Sequence, residues 1–228
     1  TDQPSPINGK LNIESNQLNF SATTNYDVHT DENIGALTLS APTLKIRDLK
    51  NLWPKPYAPK VQQWISNNIT HGTLSDLTLD IKGSYDANNL LEFDVLESTA
   101  DFKFNDLKVH FFGQLTPAKQ MSGSAHFYND QLGIKLKSGF IHDVNLGGSA
   151  LKIRPDGANE YQADVDLRAK GSVKSLRQIL QDKPISKIKN IGPLPAGLTG
   201  ATTLRAGFSF PLDIENTTKV IPFNATAK

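Results

Sequence analysis

The chain has 228 residues, 38% of them hydrophobic, and a formal net charge of +1. Its 24 basic and 23 acidic residues leave no basic excess to neutralise phosphates, which argues against a nucleic-acid partner. There is no cysteine, so disulfides, thiolate chemistry and Cys-ligated zinc are excluded, and no run of ~18 apolar residues suits a membrane-spanning helix.

Taken in chain order, the dominant signal is alternation of apolar and polar residues, the mark of half-buried strands. It begins at Leu11 and Ile13, continues through Leu18, Phe20 and Ala22, then Leu37 and Leu39, then Leu44 and Ile46. The stretch LWPKPYAPKVQQWISNNITHG, Leu52 to Gly72, breaks the pattern. Val61, Trp64, Ile65 and Ile69 fall at helical spacing there, with Pro59 suited to a first turn and Gly72 to a stop. Alternation resumes at Leu77, Leu79 and Ile81, then Leu91, Phe93 and Val95, then Ala100, Phe102 and Phe104, then Leu107, Val109 and Phe111. It runs on through Ala125 and Phe127, Leu132, Ile134 and Leu136, Leu151 and Ile153, and Tyr161, Ala163, Val165 and Leu167. Val173, Leu176, Ile179 and Leu180 form a second helical face, ended by Pro184, with a shorter helical turn expected at Ile185 to Ile188. Leu204, Ala206, Phe208 and Phe210 make a last stripe. Turn residues such as Asn88-Asn89, Asn129-Asp130 and Pro155-Asp156-Gly157 separate the runs.

Two passages parallel each other. Gly9, Gln17 and Leu18 match Gly123, Gln131 and Leu132 without a gap, and LKIR occurs at Leu44–Arg47 and at Leu151–Arg154. Each copy is read as followed by a helix and a Gly-led strand, giving an expected internal repeat over about 7–84 and 121–212. About twelve strands at ~4.8 Å spacing make a sheet roughly 58 Å wide. A helix covers ~10 Å of that, so two short helices leave most of an apolar face bare. The sheet can fold over as a sandwich, close as a barrel, or curl into a trough with an apolar inner wall, and composition does not choose among these.

Residues that could carry chemistry are sparse. His29, His71, His110, His126 and His142 form no H-x-x-x-H or H-E-x-x-H pattern, and strand parity turns His110 and His126 away from the apolar stripe. Asp76 with Asp80, and Asp164 with Asp166, are what any solvated strand face offers. There is no G-x-S-x-G and no phosphate-binding glycine loop. N-x-[ST] acceptors begin at Asn19, Asn68, Asn216 and Asn224 and matter only in a eukaryotic secretory host. Trp53 and Tyr57 can stack on a ligand or anchor a loop against a sheet. A hydrolase acting on envelope glycans would need a polar cleft with a pKa-shifted carboxylate, for which the sequence gives no sign.

LWPKPYAPKVQQWISNNITHGTLSDLTLDIKG resembles a segment of the AsmA-like superfamily, in particular its YhdP-type domain. The residues that carry the likeness are Trp53-Pro54, Ala58-Pro59, Trp64 and Gly72, and LPAGLTGATTLRAGFSFPL from Leu194 to Leu212 resembles the family's Gly-led strand ending in Pro-Leu. The likeness covers roughly Leu44 to Leu212. It implies a mostly β protein, with an elongated, strongly curved antiparallel sheet of about a dozen strands, an open, taco-like trough with two short capping helices. It also implies relatives such as TamB and the bridge-like lipid-transfer proteins. Residues 1–228 would then be one trough module of a longer protein, an expectation consistent with a start at Thr1 rather than Met. The implied function is non-enzymatic: phospholipids or other acyl lipids held in an apolar groove on the way between inner and outer membrane. The implied place is the periplasm of a Gram-negative bacterium, with the full-length protein anchored in the inner membrane. Its implied partners are neighbouring modules of the same chain and, through segments beyond this one, both membranes. No cofactor, metal or catalytic residue is implied.

On that reading the groove is lined by Leu77, Leu79, Ile81, Leu91, Phe93, Val95, Phe102, Phe104, Val109, Phe111, Leu132, Ile134, Leu136, Val165, Leu167, Phe208 and Phe210. Val61, Trp64 and Ile65 cap part of it. The alternative is a closed β-sandwich of the cell envelope that serves as an interaction scaffold and binds no lipid.

Overall fold

The computed structural model describes residues 9–14, 18–27, 32–52, 59–86, 89–111, 115–157, 161–182, 197–211 and 223–227. Within these lie twelve strands and three helices. The strands are β1 (Gly9–Glu14), β2 (Asn19–Asp27), β3 (Glu32–Lys45), β4 (Ile69–Asp86), β5 (Asn89–Val109), β6 (Ala118–Tyr128), β7 (Gln131–Ile141), β8 (Val144–Asn145), β9 (Ala150–Pro155), β10 (Tyr161–Ser172), β11 (Ala201–Pro211) and β12 (Phe223–Ala227). The helices are α1 (Ile46–Leu52), α2 (Pro59–Asn68) and α3 (Val173–Gln181). The expected turn at Ile185 to Ile188, and Trp53, Tyr57, Ala58 and His29, lie outside the described residues.

All strands join one antiparallel sheet in nearly sequential order, from β1 through β12. β7, β8, β10 and β9 pair in a closed circuit. The registers explain it. β8 opposes the Phe140–Ile141 end of β7, and β9 opposes Leu132–Lys135 of the same strand. β8 and β9 are successive parts of one position between β7 and β10, interrupted at residues 146–149. That interruption is itself bonded in: Leu146 and Gly148 donate to the carbonyls of Gly139 and Leu136, and Leu136 donates to Ser149.

One residue row crosses the sheet. Ile13, Phe20, Leu39, Leu79, Ala100, Phe127, Leu132, Ile153, Ala163 and the Phe210 position are successive cross-strand partners. Every member is apolar. Side chains alternate faces along a strand, so a single unbroken register puts this whole row on one side. A second row runs Phe102, Ala125, Ile134, Leu151, Val165, Phe208, Phe223. The opposite face carries Asn12, Ser21, Thr38, Asp80, Thr99, Tyr128 and Gln131 in register.

The apolar stripe does not keep a constant parity along each strand. It shifts at one-residue bulges between Ser75 and Thr78, Phe104 and Leu107, and Lys119 and Ser122. Each holds a non-glycine residue in the left-handed region: Asp76 at φ 52°, Asp106 at 53° and Gln120 at 52°. A bulge leaves its extra residue unpaired and bends and twists its strand. These three lie on the neighbouring strands β4, β5 and β6, all towards the same end of the sheet.

That end is closed. It is where α1, α2, α3 and the β5–β6 connection lie. The core joins Leu44, Leu74, Leu77, Phe104, Leu107, Val109, Met121 and Ile141 of the strands to Ile46 of α1, Ile179 of α3, and Leu115 and Leu146 of connections. Leu49 and Trp64 pack against it from α1 and α2. Gly72 and Gly123 permit the close approach. A Cβ on Gly72 would come within 2.8 Å of the Asp106 carbonyl, and one on Gly123 would run into the Lys135 carbonyl and lie 2.7 Å from the Phe104 ring.

α3 begins because Ser172 caps it. The Ser172 hydroxyl accepts from the Ser175 amide at 3.1 Å, and the Asp143 carboxylate accepts from the Ser172 amide at 3.3 Å. It ends at Asp182, whose carboxylate accepts from the Thr116 hydroxyl at 3.2 Å, tying the helix to the β5–β6 connection. Three helices rather than two therefore cover this end; α1 takes over Ile46 and Arg47, which alternation assigned to a strand.

Two antiparallel strand pairs are separated in the chain by helices, one in each of the two passages expected to repeat. β3 and β4 pair with Lys45 opposite Thr73, and α1 and α2 lie between their paired ends in the chain. β10 and β11 pair with Ser172 opposite Ala201, and α3 lies between them in the chain. Each returning register is preceded by a glycine at positive φ, Gly72 at 119° and Gly200 at 97°. The two LKIR segments, however, are not equivalent. The first straddles the β3–α1 boundary, while the second lies within β9, with β10 between it and α3.

Candidate functional site

The candidate site is the apolar face, which divides along the strands. At the helix-covered end, three residues expected to line a groove are core: Leu77, Phe104 and Val109, the last two at 5% and 4% exposure. They are closed in by the helices and bulges, and they are not available to a ligand. Away from that end the face is half-buried. Leu79, Ile81, Phe102, Leu132, Ile134, Leu136, Val165, Leu167 and Phe208 are of this kind, as is Phe111 beyond the end of β5. Of these, Phe102, Phe111, Leu132, Ile134, Leu136 and Leu167 rest against the core with one side. Val95 is exposed. The side chains of Leu91, Phe93, Phe210 and Val61 lie outside the described ones. Trp64 and Ile65 are half-buried on α2, and Trp64 packs on the core cluster rather than over the open part of the face.

The register adds residues that strand-by-strand reading did not select. Ile13, Phe20, Leu39, Phe127 and Ile153 share the long row with Leu79 and Leu132. Ile13 is 55% exposed. Only the pairing partners reveal this row, because each strand contributes one residue to it. The alanines of the face, Ala100, Ala125 and Ala163, are buried beneath larger neighbours, with Phe127 opposite Ala100 and Phe102 opposite Ala125.

The outer face is polar and internally bonded. Arg154 Nε donates to Asp164 at 2.9 Å, and the Ser209 hydroxyl donates to the other oxygen of Asp164 at 2.6 Å. The Ser209 hydroxyl first, and the Arg154 guanidinium next, hold the Asp164 carboxyl below the usual carboxylate range. Ser175 and Ser172 do the same for Asp143 at the start of α3. Lys103 is raised by its 2.8 Å bond to Asp76. His126 Nδ1 lies 2.9 Å from Asp101, and His71 Nε2 lies 3.2 Å from Asp106, all four exposed. Among the described residues no three or more His, Cys, Asp or Glu side chains gather as a metal site would require. None of these contacts brings a shifted acid into an enclosed space with a nucleophile.

Two shallow clefts indent other parts of the surface. One is lined by Asn12, Glu14, Ser21, Thr38 and Ser40 of the polar face of β1–β3 with Phe20 and Asn19. The other lies beside the bulge of β6, between Thr116, Pro117, Lys119, Gln120, Phe140 and His142. Among the described residues no helix is long and apolar enough to cross a membrane.

No family model, curated protein or solved structure matches this chain.

Proposed function

We propose that this chain is a non-enzymatic lipid-conduit module: an elongated, curved trough whose half-open apolar face holds the acyl chains of phospholipids or similar lipids. The observation that carries the reading is the row from Ile13 to Ala163. It is apolar on every strand it crosses, and it is left partly uncovered beyond the helix-capped core. Such a surface in water favours apolar contact, at roughly 0.8 kcal/mol per methylene removed from water. The row itself carries no polar side chain to fix one position, so bound chains can slide along it.

The likeness to AsmA-like proteins supports the same reading. On this reading the module belongs to a periplasm-spanning bridge of a Gram-negative envelope, continued by neighbouring modules towards inner and outer membranes.

The test is extraction and mass spectrometry of lipids carried by the purified protein, together with transfer of a fluorescent phospholipid between vesicles. Phe104 is a poor position for a disruptive variant, since it is core. Leu132→Asn with Ile153→Asn places two amides side by side on the long row. The expected result is a folded protein that has lost most of its bound lipid and transfer. A native chain that carries no lipid and moves none would overturn the reading.

A further inference from the structure

Several stretches of strand edge lack a partner among the described residues, among them an overhang of β5 and the outer edges of β1 and β12. β5 overhangs β6, since their register starts at Thr99 opposite Tyr128 and leaves residues 89–97 bonded on one side only. That overhang is defended against pairing. Asp94 and Glu97 are exposed, and a one-residue bulge at Leu96 breaks the line between the Glu97–Lys82 and Val95–Gly83 pairs. The outer edge of β1 differs in having no bulge, with its charges confined to Lys10 and Glu14 near its two ends. Its register with β2 runs unbroken from Gly9 opposite Thr24 to Glu14 opposite Asn19. All six residues are exposed, Leu11 at 56%, and none is a proline. A regular, bulge-free edge that exposes Leu11 and Ile13 can accept another strand.

We propose that β1 is a self-association edge, on which a second copy of this chain pairs its own β1 antiparallel about a two-fold axis at Asn12. The strand is complementary to itself in that register. Lys10 falls opposite Glu14 of the second copy, Leu11 opposite Ile13, and Asn12 opposite Asn12. Both ion pairs lie on the polar face and both apolar pairs continue the long row, so each face keeps its character across the junction. Among the described residues neither Lys10 nor Glu14 has an ion-pair partner within its own chain. A slip of one residue would put charge on the apolar face, and a slip of two would lose both ion pairs. Pairing β1 with β12 instead offers no charge to answer Lys10 or Glu14, because FNATA carries none. The overlap is short, far below a standard interface, so the dimer is weak and concentration-dependent. This inference stands apart from lipid binding.

The chain has no cysteine, so Asn12→Cys introduces a single thiol placed on the axis. Paired antiparallel residues have Cα atoms ~4.5–5.5 Å apart, within disulfide range. Mild oxidation is expected to give a disulfide dimer of Asn12→Cys at least ~10-fold faster than of Lys10→Cys, whose counterpart is residue 14 rather than itself. In sedimentation equilibrium the native chain is expected to dimerise with rising concentration. Lys10→Glu should weaken the dimer and Lys10→Glu with Glu14→Lys should restore it, a rescue that misfolding does not produce. Equal cross-linking at positions 10 and 12, a monomer at every concentration, or a dimer indifferent to Lys10→Glu would each overturn the proposal. So would an uncross-linked Asn12→Cys in a longer chain whose preceding segment pairs with β1.

Discussion

Phe104 and Ile13 lie on the same face of the same sheet, yet Phe104 is 5% exposed and Ile13 is 55% exposed. Residue type does not separate them. What separates them is position along the strands. Near Phe104 three neighbouring strands bulge, Gly72 and Gly123 let neighbours close in, and three helices and the β5–β6 connection bring Ile46, Ile179 and Leu115 over the face. Near Ile13 the register is regular and no described element covers the side chain. One end of the face is thus packed as core, and the other leaves apolar surface exposed.

The largest effect should therefore come from the closed end. Phe104→Ala empties a packed site and is expected to cost about 3–5 kcal/mol, while Ile13→Ala should stay within ~0.5 kcal/mol in the isolated monomer. Urea unfolding followed by circular dichroism reads both. Equal losses would mean that the two regions share one core, and the contrast would be lost. Gly123→Ala is expected to cost ~1–3 kcal/mol by overpacking, because its new methyl meets the Lys135 carbonyl and the Phe104 ring. Gly133, on the next strand, has only the His126 carbonyl 3.8 Å away, so Gly133→Ala should be near neutral.

Acid tests each region through one carboxylate. Asp143 fastens the β7–β8 turn to the start of α3 at the closed end, and Asp164 joins β9, β10 and β11 away from it. Both pKa values are depressed in the fold. A depressed acid contributes stability that is complete above its unfolded pKa, ~3.9, and is lost as pH falls through the folded value. Asp143→Asn and Asp164→Asn should each weaken the protein at neutral pH and flatten its loss of stability below about pH 4. Midpoints measured from pH 7 to pH 2 check this. If the Asp143 variant keeps the native acid slope, Asp143 does not help to hold the start of α3.

Much of the closed-and-open division was written in the chain, but not all of it in a readable form. The strands follow alternation closely, and α2 and α3 begin at Pro59 and Val173 as their spacing indicates. The stripe Leu91, Phe93, Val95 changes parity at Ala100, and again at Leu107, which reads as three strands. It is one strand, β5, with bulges at Leu96 and Asp106 that restore the face each time. α1 was hidden because Leu44 and Ile46 alternate as a strand would, while Ile46 with Leu49 also fits a helix, and only packing decides. Burial was the least legible property. Phe104 and Leu79 look alike in sequence, and the difference between core and open face depends on helices and connections far along the chain. The long row from Ile13 was invisible for the same reason, since it exists only once the registers are known.

The smallest expected effect concerns the boundary between the two regions. Gln120 is exposed and sits in the β6 bulge at φ 52°, a conformation that costs an L-residue about 1–2 kcal/mol and glycine almost nothing. Glycine gives back about 0.5–1 kcal/mol through the entropy it loses on folding. The carbonyl of residue 120, which accepts from the Ser138 hydroxyl at 3.3 Å, is kept in either case. Gln120→Gly should therefore be neutral or stabilising by up to about 1 kcal/mol, read as a small rise in the unfolding midpoint with an unchanged slope. A clear loss of stability would show that the Gln120 side chain, and not the backbone alone, holds the bulge. The bend that divides the closed end from the open face would then depend on what that side chain touches.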